Sequence, residues 1–179
     1  DGTLVDTAPD LIAALNYVLD REGMPPVPLQ SARNMIGAGA RKLIERGLEV
    51  DGRAMGVSDI DRLLRDFIDY YAAHIADESR PFEGLEAALD DLAAQGYQFA
   101  VCTNKLEWLS KRLLDELGLS PRFAAICGAD TFGVSKPDPV ILQQTVARAG
   151  GHLGGTIMVG DAGPDVGVAR RAGIPVIGV

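Results

Sequence analysis

The sequence predicts an α/β protein, a doubly wound parallel sheet carrying an all-helical second domain, and two patterns carry that expectation. Beyond residue 80, short β-rich runs alternate with helical stripes, the signature of parallel strands joined by crossover helices and covered on both faces. Between residues 8 and 77, apolar residues recur at helical spacing with little that reads as strand. The grammar changes at Ser79-Arg80-Pro81, which sets the expected boundaries: residues 1–7 and 79–179 form the sheet domain, and residues 8–78 the helical one.

The chain opens on Asp1-Gly2-Thr3-Leu4-Val5-Asp6-Thr7, which reads as a strand end turning into a loop. A carboxylate there can serve a metal or a proton, and the same string also occurs as a plain turn. Residues 8–23 place Leu11, Ile12, Leu15, Val18 and Leu19 on one helical stripe, with Thr7 as N-cap, Pro9 in the first turn and Gly23 as stop. The proline-rich run 24–28 is a loop. A second helical stretch follows, with Ile36 near a loop built on Gly37 and Gly39, then Leu43, Ile44 and Leu48. A third helix runs from Ser58 as N-cap through Leu63, Phe67 and Tyr71 to residue 76.

Past the boundary, helices are expected over 85–95, 106–117, 139–149 and 164–172, and strands over 97–102, 123–127, 156–159 and 175–179. Open parallel sheets bind ligands at the carboxyl ends of their strands. Thr103-Asn104 follows the first strand, Ser135-Lys136-Pro137 lies in the loop beyond the second, and Gly160-Asp161, with Asp165 four residues on, follows the third. Together with Asp1 and Thr3 they supply a hydroxyl, a cation and several carboxylates at one edge. That set suits a divalent cation on oxygen ligands beside a phosphate. Plainer readings stand beside it: a solvated loop lysine, acids favouring a helix start, a threonine ending a strand.

A formal charge of −8 and a pI near 4.7 exclude nucleic acid and anionic membrane as nonspecific partners. Cys102 and Cys127 each sit in an apolar run, which favours reduced thiols in the cytoplasm over a disulfide framework. No apolar run has the length to span a bilayer.

The ordered set Asp1-Gly2-Thr3, Thr103-Asn104, Lys136-Pro137 and Gly160-Asp161 with Asp165 resembles the four motifs of the haloacid dehalogenase superfamily of phosphohydrolases. The helical insertion after the first motif is similar to that family's C1-type cap on a Rossmann-like core. The segments 5–10, 36–40, 80–82, 102–105 and 131–133 resemble its bacterial phosphoglycolate phosphatase branch. The resemblance implies a Mg2+-dependent phosphomonoester hydrolase of small phosphorylated metabolites, with 2-phosphoglycolate first, acting as monomer or homodimer. Asp1 matches the general acid and base, whose backbone carbonyl also helps hold the metal. Thr103 matches the hydroxyl that binds a phosphoryl oxygen, with Asn104 beside it. Lys136 matches the lysine that offsets charge, Asp161 the principal metal carboxylate, and Asp165 its support. Gly37 and Gly39 either bend the cap or touch substrate.

In the family pattern the attacking aspartate lies two positions before Asp1, on a central strand. The sequence read from Asp1 contains neither. The resemblance therefore implies a fragment cut at both ends, with a groove where the central first strand is missing and no turnover of its own. Ala162 stands where relatives often have serine, which puts one hydrogen bond in doubt. The alternatives are a sugar-phosphate phosphatase, a phosphoglucomutase or a pyrophosphatase of the same superfamily, or a non-catalytic binding domain. A dehalogenase is disfavoured, because carbon–halogen displacement has no use for the acid supplied by Asp1.

Overall fold

The computed structural model describes residues 1–179, and the chain divides into two compact units. One comprises Asp1 with Asp6–Arg80, the other Gly2–Val5 with Pro81–Val179. The two-residue strands β1 (Val5–Asp6) and β2 (Arg80–Pro81), where the chain passes from one unit to the other, pair with each other.

The first unit is helical: α1 (Ala8–Arg21), a short α2 (Leu29–Ala32) running into a 3-10 turn (Arg33–Met35), α3 (Ala40–Val50) and α4 (Val57–Ala73). Helices α1, α3 and α4 pack pairwise. Leu15, Val18 and Leu19 meet Ile44, Leu48, Leu63, Phe67 and Tyr71 in a core where each is at most 1% exposed. Thr7 is the N-cap residue of α1, yet its hydroxyl makes no capping bond. It donates instead to Asp1 Oδ1 at 2.8 Å, and Asp6 Oδ1 accepts the Ala8 N–H. The expected cap at Ser58 is corrected: α4 begins at Val57, which moves the cap two residues back to Gly56. Gly23 does follow the end of α1, at φ +68°, the left-handed turn that glycine makes at least cost.

The second unit alternates α5 (Leu85–Ala94), β3 (Phe99–Cys102), α6 (Glu107–Glu116), β4 (Phe123–Cys127), α7 (Pro139–Arg148), β5 (Met158–Gly160), α8 (Gly163–Ala172) and β6 (Val176–Gly178). The strands are parallel but form two separate pairs. β3 runs beside β4, with Val101 opposite Ile126 and Cys102 opposite Cys127; β5 runs beside β6, with Met158 opposite Val176. Helices join what the ladders leave apart, since α7 packs on β3, β4 and α8, while α8 packs on β5 and β6. Ile141, Leu142, Val146, Met158, Val168, Ala169 and Ile174 form the shared core. Coverage of both faces, expected from the apolar runs, does not extend to every strand residue: Val159 is 45% and Ile177 52% exposed. No helix is long and apolar enough to cross a membrane.

Candidate active site

Gly2 carries two constraints. Its φ of +73° lies in the region that favours glycine, and a Cβ there would sit 2.3 Å from Asp161 Oδ2. The absent side chain therefore lets the opening turn close over the loop after β5. Thr3 seals the approach, its hydroxyl donating to Asp161 Oδ1 at 2.5 Å. Gly160, the last residue of β5, makes room in the same way: a Cβ would lie 2.3 Å from the Asp165 Cβ.

Asp165, in the first turn of α8 and 4% exposed, is held by two groups. Its Oδ2 accepts the Ala162 N–H at 3.0 Å, and its Oδ1 pairs with Lys136 Nζ at 2.5 Å. Alanine at 162 has no hydroxyl to return a bond to the Asp165 N–H, so only one half of a reciprocal cap exists here. Both partners of the ion pair are nearly enclosed, with side-chain exposures of 10% and 6%. Two charges withdrawn from water this far depend on each other.

Lys136 is held through its main chain as well. The Asn104 amide accepts the Lys136 N–H at 2.8 Å and donates to the Lys136 carbonyl at 3.1 Å. Thr103, preceding it, donates its N–H to the Cys127 carbonyl at 3.0 Å, one rung beyond the end of β3, and its Oγ1 accepts the Lys105 N–H at 3.2 Å. Burial pushes the Cys102 thiol up, with the Lys136 charge pulling the other way. Pro137 is pressed by α8, where a Cβ on Gly167 would come within 2.8 Å of the proline Cβ. This contact escaped the sequence reading, although a glycine inside a helical pattern costs about 1 kcal/mol against alanine and so was the available signal.

The second unit thus connects Thr3 to Asp161, Asp165 to Lys136, and Lys136 to Asn104 and the segment bearing Thr103. Asp1 lies next to Gly2 in the chain, its carboxylate accepting from Thr7. Gly37 and Gly39 lie in the helical unit at φ +106° and +89°, conformations that by themselves call for glycine.

No group of three Asp, Glu, His or Cys side chains stands close enough together to hold a metal by side chains alone. Asp165 is turned to Lys136 and the Ala162 N–H. Asp161 is exposed and engaged by Thr3 through Oδ1. Its carboxylate still offers the hard oxygen donor that a divalent cation such as Mg2+ takes.

The family model for haloacid dehalogenase-like hydrolases matches residues 1–179. A phosphoglycolate phosphatase of Caulobacter vibrioides is 47% identical over 98% of this chain and 74% of its own length. One of Mesorhizobium japonicum is 44% identical over 100% of this chain and 79% of its own length. A crystal structure from Haemophilus somnus, described as a predicted phosphoglycolate phosphatase, superposes with a TM-score of 0.89 at 26% identity, over 99% of this chain and 81% of that one. With the family model spanning residues 1–179, the chain belongs to the haloacid dehalogenase-like hydrolase family.

Proposed function

We propose that the protein hydrolyses phosphomonoesters with Mg2+ through a phosphoaspartate, and that 2-phosphoglycolate is its substrate. The observation that carries this reading is the Lys136–Asp165 pair, an enclosed ammonium tied through Asn104 to the Thr103 segment and thus suited to grip a phosphoryl group. Relatives named phosphoglycolate phosphatase at 44% and 47% identity support the substrate.

In this reading an aspartate two positions before Asp1 attacks phosphorus. Its oxygen bonds to phosphorus as the bond to the alcohol oxygen breaks, and Asp1 gives that departing oxygen its proton. Asp1 next takes a proton from water, whose oxygen displaces the aspartate from phosphorus and releases phosphate. The bond from Thr7 holds the Asp1 carboxylate in one orientation for both transfers. Thr103 donates its hydroxyl to a phosphoryl oxygen, and Lys136 offsets the charge. Asp161 and the Asp1 carbonyl would hold Mg2+, with Asp165 in support, and the ion would neutralise phosphoryl charge. The work is assigned to the cytoplasm, where the free thiols Cys102 and Cys127 stay reduced.

The test is hydrolysis by the full-length gene product of a panel of 2-phosphoglycolate, sugar phosphates and pyrophosphate, with and without Mg2+. Highest kcat/KM for 2-phosphoglycolate, abolished by chelation, is expected. Failure to hydrolyse any of them, or a codon other than aspartate two places upstream of Asp1, overturns the reading.

A further inference from the structure

The geometry points to Asn104 as a positioning residue that acts through Lys136, setting where the lysine stands relative to Thr103. The inference rests on the reading of Lys136 as the counter-charge of the phosphate.

Asn104 turns both ends of its amide onto the backbone of a residue 32 positions away: Lys136 N–H to Oδ1 at 2.8 Å, and Nδ2 to the Lys136 carbonyl at 3.1 Å. A side-chain amide used this way imitates a strand neighbour, which also offers one donor and one acceptor. The β3–β4 ladder ends with the Thr103 N–H on Cys127, and Asn104 adds a further rung that skips residues 128–135.

The skipped loop is itself fastened to the same side. The Ala129 N–H donates to the Lys105 carbonyl at 3.0 Å, and the Glu107 N–H to Asp130 Oδ1 at 2.7 Å. Thr131 Oγ1 donates to Glu107 and accepts the Gly128 N–H at 2.7 Å. Gly128 comes so close that a Cβ would lie 2.4 Å from the Lys105 carbonyl oxygen. The loop is therefore tied at its start by the segment after β3 and at its end by Asn104. Lys136 is fixed from two directions, its backbone by Asn104 and its ammonium by Asp165. Thr103 and Asn104 are consecutive, so a group that binds phosphoryl oxygen and the brace of the group that neutralises it share one short stretch of chain. Positioning to within an ångström decides rates in such sites.

A double-mutant cycle in the full-length protein with Mg2+ separates this role from direct substrate contact. Asn104→Ala should lower kcat/KM by about tenfold or more, mainly through kcat, while in a Lys136→Ala background the same change should cost less than about twofold. Losses that multiply undiminished, or no loss from Asn104→Ala alone, overturn the inference. An undiminished rate for Lys136→Ala alone overturns the reading beneath it and this inference with it. Thermal unfolding of each variant reports folding independently of activity. Should Asn104→Ala not fold, Asn104→Asp keeps the acceptor for the Lys136 N–H, removes the donor to its carbonyl, and is run through the same cycle with the same deciding outcomes.

Discussion

Each unit buries one aspartate and employs one asparagine that grips both backbone groups of a distant residue, yet the two sets of side chains serve different ends. In the helical unit Asp10, 3% exposed, accepts only from neutral donors: the Glu78 and Ser79 N–H groups, the latter at 2.8 Å, and the Ser79 hydroxyl at 2.6 Å. Its Asn16 holds Val27, donating to the carbonyl at 3.1 Å and accepting the N–H at 2.8 Å. In the sheet unit Asp165 meets an ammonium, and Asn104 repeats the Asn16 geometry on the residue that carries it. A brace and a site can thus share their hydrogen-bond pattern. They differ in what is held: Val27 is a core residue that has only to stay in place, whereas Lys136 carries a charge.

The sharpest break of this comparison is between the two aspartates. Asp165→Ala should lose about 3–5 kcal/mol of stability in denaturant unfolding, since it strands an enclosed ammonium. Asp10→Ala strands neutral donors and should lose about 2 kcal/mol, with a smaller drop in turnover per folded molecule. Equal losses would remove the distinction. Asn16→Ala comes next, at about 1 kcal/mol and with kcat/KM retained, in contrast to Asn104→Ala. The smallest effect concerns Arg33, which donates from both terminal nitrogens to Asp6 at 2.9 Å each. That hydrogen bonding holds the Asp6 carboxyl below its ordinary value of 3.8, against a smaller opposing push from burial. A lowered value means that the contribution is full above the ordinary value and is lost as pH falls through the folded one. Because both side chains are substantially exposed, Arg33→Ala should cost under about 1 kcal/mol at neutral pH and nothing in acid, as read from unfolding midpoints at each pH.

What could be read from the residues alone follows the range of the interaction. Strand β4 at Phe123–Cys127 and helix α7 from Pro139 lie where the sequence places them, because a short apolar run and a proline in a first helical turn are local signals. Thr7 was legible as a cap position but not in its bond, since the nearby Asp1 carboxylate takes the hydroxyl. The motif glycines were legible as glycines, whereas the reason for Gly2 and Gly160, room for Asp161 and Asp165, needs the strand ends brought together. Asn104 on Lys136 and Gly167 on Pro137 link positions about thirty residues apart, which no window of periodicity spans. Position at one sheet edge says nothing of where a side chain turns, so the pairing of Asp165 with Lys136 was not legible either.

The separation of the strands into β3–β4 and β5–β6 bears on how this unit opens. Cooperativity between the two ladders passes through the side chains of α7 and α8, not through a shared row of backbone hydrogen bonds. In a protein that begins at Asp1, the amide protons of Val101 in one ladder and Val159 in the other should therefore exchange with separate opening free energies, as read by native-state hydrogen exchange.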